Sequence, residues 1–206
     1  MRTPFLAYGL ALLLAGIASP PSAAQPSGDA SAFVAELAQK ALRVGNDTSL
    51  AAADRQRSVE KLLDENFDLP RIARFVLGHY WHDAKDSERQ EFTAVFRDYM
   101  VRAYSARFAE FSRPSFRVAG QRAESTTSTL VATEIARSAT GRVVKVEWRV
   151  ASNVASSDDY RIVDVSIDGI SMVLVQREEF ASALHRGGAG VPSLIQLIKS
   201  TAQRTQ

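Results

Sequence analysis

Apolar residues recur every three to four positions from Phe33 to Phe111, then at every second position from Phe116 onward; the first spacing belongs to helix faces and the second to half-buried strands. Asp29 or Ser31 is placed to cap a helix carrying Phe33, Val34, Leu37, Ala41 and Leu42, and Gly45-Asn46-Asp47 ends it. A second helix is predicted over residues 54–66, with Val59, Leu62 and Leu63 on one stripe. A third starts at Asp68, whose carboxylate can accept from first-turn amides, while Pro70 sits where no amide partner is needed. Gly78 stops it. A fourth begins at Asp86 or Ser87 and carries Phe92, Val95, Phe96, Tyr99, Met100, Ala103, Tyr104, Phe108 and Phe111 before Pro114. At about 1.5 Å per residue its roughly 26 residues make a rod near 40 Å long.

The clearest alternation sets Val144, Val146, Trp148 and Val150 against Val143, Lys145, Glu147 and Arg149. Further strands are predicted over residues 116–122, 127–137, 160–167 and 170–176, with turns at 139–141 and 156–159. Asp168-Gly169 fits a hairpin turn or a bulge within one long strand. Helix returns over residues 178–185, breaks at Gly187-Gly188-Ala189-Gly190, and closes with Leu194, Ile195, Leu197 and Ile198. Helices, then strands, then helices give an α+β order, in which an antiparallel sheet carries its helices on one face.

Residues 1–24 stand apart. Arg2 precedes an apolar run over residues 5–18, followed by Pro20, Pro21 and the small residues Ser22-Ala23-Ala24. The run is shorter than the roughly 20 residues a membrane span needs, so the segment reads as a secretory signal peptide cleaved near Ala24, with Gln25 as the new N-terminus. Residues 25–206 form the single mature domain. Removal of residues 1–24 takes one Arg and no acid, leaving 24 basic against 23 acidic residues, a balance that argues against nucleic acid as partner. The chain has no cysteine, which excludes disulfides, thiolate metal sites and Cys nucleophiles.

Catalytic and nucleotide motifs are missing: no Walker-type loop, no strand-borne GxGxxG, no HExxH, and Gly169-Ile170-Ser171-Met172-Val173 lacks the closing Gly of a nucleophile elbow. His79 and His82 lie beside Asp83 and Asp86, yet no third His is near, and solvation explains them better than a metal. His185 reads as a helix-dipole partner, and Glu178/Glu179 as acids of a first helical turn. Asp164 is different: flanked by Val163 and Val165 in a strand, it must face solvent or be held by an Arg or backbone amides. Neither a catalytic residue nor a cofactor or metal is expected.

Ten of the seventeen aromatic residues fall between positions 75 and 116. Core packing explains much of this, but the apolar stripe of the fourth helix is wide for a helix lying on one sheet. Either several elements cover it, or some of it lines a cavity walled by Phe, Tyr, Met and Val, which would suit an acyl chain or polycyclic hydrocarbon; spacing alone fits both.

Certain stretches carry a family resemblance. Phe67-Asp68-Leu69-Pro70, Ile72-Ala73-Arg74-Phe75-Val76-Leu77-Gly78-His79-Tyr80-Trp81, the Glu88-Arg89-Gln90 run leading to Phe92, Phe96 and Tyr104, and the segment from Tyr160 through Asp164, Gly169 and Met172 to Arg177 and Phe180 resemble the MlaC or toluene-tolerance family of periplasmic lipid carriers. The segment Gln176-Arg177-Glu178-Glu179-Phe180-Ala181-Ser182 is most similar to the hopanoid-associated HpnM branch; many relatives carry Tyr where Gln176 stands, and Trp is frequent at Tyr160. The resemblance implies a nuclear-transport-factor-like cone, with a curved mixed or antiparallel sheet and helices enclosing a deep apolar pocket, and no catalytic residues; a monomer is expected. It also implies a phospholipid or hopanoid cargo moved between an outer-membrane complex and an inner-membrane ABC transporter complex. The pocket wall is then expected from Phe75, Leu77, Tyr80, Trp81, Phe92, Phe96, Tyr99, Met100 and Tyr104 on helices, and from Val131, Ile135, Val144, Val146, Trp148, Val165, Ile170, Met172 and Leu174 on strands. Arg71, Arg74, Arg113, Arg117, Arg137 and Arg142 are candidates for phosphate headgroups or acidic partners. The alternatives are an acid/base enzyme using Asp164, Tyr99 or His79 on a hydrophobic substrate, and an envelope assembly factor docking through an exposed aromatic patch.

Overall fold

Two aspartates open helices as their positions in the sequence suggest. Asp29 accepts from the amides of Ser31 and Ala32 at the start of α1 (Ala30–Asn46), and Asp68 accepts from Arg71 at the start of α3 (Leu69–Leu77). The computed structural model describes residues 29–47, 49–108, 115–136, 142–153, 156–187 and 190–204; the expected signal peptide lies outside them. Between α1 and α3 runs α2 (Ala52–Asn66). After Gly78 comes one extra helical turn, α4 (Tyr80–Asp83), and then the long α5 (Asp86–Phe108). No described helix is long and apolar enough to cross a membrane.

Five strands follow in a meander, every neighbouring pair antiparallel: β1 (Ser115–Ser125), β2 (Ser128–Ala136), β3 (Val143–Asn153), β4 (Ser156–Ile167) and β5 (Ile170–Ser171). The polar cluster at 156–159 belongs to β4 rather than to a turn, because Asn153 pairs directly with Ser156. Asp168 (φ 49°) and Gly169 (φ 86°) both take the left-handed conformation between paired Ile167 and Ile170, so they form a two-residue hairpin turn. Register shifts in β1/β2 and β3/β4, including one where Arg149 faces Asp164 but Val150 faces Ile162, bend the sheet.

The strand expected over residues 170–176 ends after Ser171. From Met172 the chain is helical, α6 (Met172–Gly187), followed by α7 (Gly190–Arg204). The apolar run Ile170, Met172, Leu174 alternates as a strand would, but the Ser171 hydroxyl accepts from the Leu174 amide and Asp164 accepts from the Val173 amide. Capped in this way, the run winds into helix. Glu178 and Glu179 therefore sit well inside α6, not in its first turn.

The apolar residues separate into a helical layer and a sheet layer. Val59, Leu63, Ile72, Phe92, Phe96, Phe180, Leu184, Ile195 and Ile198 form the helical core, in which Phe180 meets Phe92 edge-on at 5.9 Å and Phe96 at 6.2 Å. Each such fully buried side chain contributes about 1.5–3 kcal/mol. α1 lies instead on the sheet, where Ala30 and Val34 pack with Val131, Val150 and Tyr160. The layers are joined at Phe67, which packs against both and whose neighbour Asp68 donates its amide to the Ile162 carbonyl at 3.0 Å.

Candidate functional site

Where the helical layer faces β4 the packing is incomplete, leaving a cavity of about 190 Å³. The wall from α5 is Phe96, Tyr99, Met100 and Ala103; the wall from α6 is Met172, Val175, Gln176 and Glu179. Both sets follow the i, i+3, i+4, i+7 spacing of one helix face. Ile72 and Val76 from α3, Val165 from β4, Val173 and Phe67 complete the apolar lining.

The α6 wall is fastened to the sheet through Asp164. This carboxylate is 3% exposed; it accepts from the Ser171 hydroxyl at 2.7 Å, the Val173 amide at 3.3 Å and the Arg149 guanidinium at 3.0 Å. Arg149 in turn makes a two-pronged contact with Glu124 at 2.9 and 3.0 Å. That pairing raises the Arg149 pKa and holds the Glu124 carboxyl below its ordinary range. Asp164 is thus held by an Arg and a backbone amide, one of the two outcomes its sequence context requires.

A short polar chain crosses the cavity wall. The Tyr99 hydroxyl donates to Gln176 Oε1 at 3.3 Å, and Gln176 Nε2 donates to Glu179 Oε2 at 3.2 Å. Among the described residues, no Lys, Arg or His lines the cavity. Among the described residues no three His, Asp or Glu side chains converge as a metal site would need.

Of the expected wall, Phe96, Tyr99, Met100, Val165 and Met172 line the cavity. Leu77 and Phe92 are instead buried in the helical core, and Val131 lies under α1. Phe75 is 41% exposed, with the Arg177 guanidinium over its ring at 5.1 Å. Tyr80 and Trp81 pack at the edge of the helical core, and Trp81 borders a separate outer groove with Arg89 and Arg97. Ile135, Val144, Val146 and Trp148 share a sheet face with Val131 and Val165; the Trp148 indole donates to Thr133. Ile170 and Leu174 are exposed, because the strand meant to carry them inward is a turn edge and a helix. The Tyr104 side chain, Phe111, Arg113 and Arg137 fall outside the described residues. Arg117 pairs with Glu134 and Arg142 with Asp168, while Arg71 and Arg74 are exposed on α3.

The sequence reading overlooked Phe67, Ile72, Val76, Ala103, Val173, Val175, Gln176 and Glu179 as lining residues. The α6 members carry a legible signal, the helical spacing 172, 175, 176, 179, which was masked by the equally regular alternation 170, 172, 174.

The MlaC protein family model matches residues 35–200, from within α1 to within α7. The chain belongs to the MlaC family. That match spans every cavity residue and the whole Asp164 network. A phospholipid-binding protein from Ralstonia solanacearum, solved in complex with a phospholipid, superposes on this MlaC chain with a TM-score of 0.73 at 20% identity. The alignment covers 87% of this chain and all of the other, and the shared α+β fold with a five-stranded antiparallel sheet is what that likeness establishes.

Proposed function

We propose that this protein is a periplasmic carrier that takes lipid tails into the cavity between α5, α6 and β4. The observation that carries the reading is the unfilled apolar space between two otherwise well-packed layers of an MlaC chain. Each methylene moved from water into such a space gains about 0.8 kcal/mol, but a methylene leaving a bilayer gains almost nothing. Transfer is then close to balanced, and docking decides its direction, first at an inner-membrane ABC transporter complex and then at an outer-membrane complex, or the reverse. The chain acts by binding, without a chemical step.

The cavity, at about 190 Å³, is smaller than the roughly 300–1,000 Å³ of ordinary ligand sites. Loading therefore parts the helical layer from the sheet along this seam, loosening contacts such as Phe67, the packing of Leu62 on Ile162, the Asp68–Ile162 hydrogen bond and the α6 cap. A flexible phospholipid tail suits such progressive opening; a rigid hopanoid demands the full width at once.

The test is native mass spectrometry of the mature chain purified gently from a periplasm, with extraction and identification of bound material. A stoichiometric phospholipid is expected. A hopanoid in its place would change the cargo, and protein that stays lipid-free even after incubation with phospholipid vesicles would overturn the proposal.

A further inference from the structure

The solvent side of α3 consists of Pro70, Arg71, Arg74 and Phe75, all exposed, while Leu69, Ile72, Ala73, Val76 and Leu77 of the same helix are buried. Positions 71, 74 and 75 follow the i, i+3, i+4 spacing of one stripe, so two guanidinium groups and an aromatic ring stand side by side. A third cation arrives from α6, where the Arg177 guanidinium lies over the Phe75 ring at 5.1 Å. One turn before Arg177, Leu174 is 50% exposed.

No carboxylate belongs to this side of α3. Asp68, at its start, accepts from the Arg71 amide, and the acid next to Arg177 is Glu178. Among the described residues none of the three arginines has an ion-pair partner. The chain as a whole is nearly balanced in charge, so these cations form a local field rather than part of a general one. None of the five side chains lines the inner cavity or the outer groove. A protein partner anchors itself by seating side chains in pockets. A bilayer interface asks instead for cations that meet phosphate oxygens and for apolar side chains that enter among the headgroups, and this face supplies both.

We propose that the Arg71–Arg74–Phe75 face of α3, with Arg177 and Leu174 of α6, docks the protein on the surface of an anionic phospholipid bilayer. The guanidinium groups bind phosphate oxygens, and the Phe75 ring and Leu174 side chain enter the headgroup layer. This contact goes beyond the carrier reading and stands whether or not the cavity takes a lipid.

The experiment is co-sedimentation of the mature chain with large vesicles, either pure phosphatidylcholine or phosphatidylcholine with one third phosphatidylglycerol. Wild-type protein is expected to sediment with the anionic vesicles, to stay in solution with the neutral ones, and to be released at about 1 M salt, where the screening length falls to about 3 Å. An arginine at an anionic surface strengthens binding about fivefold, so Arg71→Gln with Arg74→Gln should weaken it about 25-fold, and Phe75→Ala about fivefold. All three positions are exposed, so the variants are expected to fold, which circular dichroism and the thermal midpoint check. Lys40→Gln with Arg43→Gln removes the same charge from exposed positions on α1 and should leave binding within about twofold of wild type. An equal loss from that pair would overturn the assignment to α3. Wild-type protein that stays in solution with anionic vesicles would overturn bilayer docking and give the face to an acidic protein partner instead; neither result touches the carrier reading, which lipid extraction tests separately.

Discussion

Replacing Asp164 by Ala removes at one stroke the acceptor that ties the cavity's α6 wall to the sheet. Three donors lose their partner: the Ser171 hydroxyl, the Val173 amide and one arm of Arg149. Hydrogen bonds to a charged group are each worth about 1.5–3 kcal/mol when the other partner is left buried, and a helix cap alone is worth about 1 kcal/mol. The sum is less than additive. Arg149 keeps both bonds to Glu124 and its side chain is 38% exposed, so water screens most of its loss. The expected cost is about 3 kcal/mol, at the lower edge of what breaking a buried ion pair costs. For a chain of this length that corresponds to a fall in Tm of about 6–12 °C. Asp164→Asn keeps the shape and one acceptor oxygen and should lose about half as much. Urea unfolding supplies the free energies, and amide hydrogen exchange over residues 172–176 shows whether the first turns of α6 loosen first. An Asp164→Ala variant within about 0.5 kcal/mol of wild type, the range of ordinary surface substitutions, would refute the fastening.

Other substitutions test neighbouring parts of the argument. Gly78 holds φ 58° and ψ −128° at the end of α3, and a Cβ there would lie 3.0 Å from the Arg177 guanidinium; Gly78→Ala should cost about 1–3 kcal/mol in urea unfolding, and a neutral result would show that the turn relaxes freely. Ala103→Phe places a ring in the cavity, so thermal stability should hold or rise while bound lipid falls about tenfold or more; unchanged loading would place the tails elsewhere. Phe180→Ala removes the ring that meets Phe92, Phe96 and Tyr99 and should cost about 3–5 kcal/mol, read by the urea midpoint. The Glu124 carboxyl is held below its ordinary 4.5 by the Arg149 hydrogen bonds, so folding favours its ionised form. That contribution is present at neutral pH and is lost as the pH falls through and below the ordinary carboxylate range. Glu124→Gln should therefore flatten the acid limb of a stability profile between about pH 5 and pH 3, and parallel limbs would count against it.

Local signals in the chain determined most of the elements. Asp29, Asp68 and Gly78 act at short range through backbone hydrogen bonds and a positive φ, so the boundaries they set survive into the fold. The alternation of Val144, Val146, Trp148 and Val150 likewise decides which sheet face is buried, since a strand's period leaves no other choice. What local pattern could not decide was residues 170–179, where two periods fit the same apolar run. Asp164 broke the tie: six or more residues earlier in sequence, on a neighbouring strand, it caps α6 and turns Met172, Val175, Gln176 and Glu179 toward the cavity. The aromatic stripe of α5 was equally legible as a stripe, but whether each ring fills core or faces open space depends on what arrives from elsewhere. Phe180 closes over Phe92 and Phe96, while past Phe96 the sheet stands off and Tyr99, Met100 and Ala103 are left facing a void. A void is a shortfall in packing between distant segments, and only the tertiary structure brings those segments face to face.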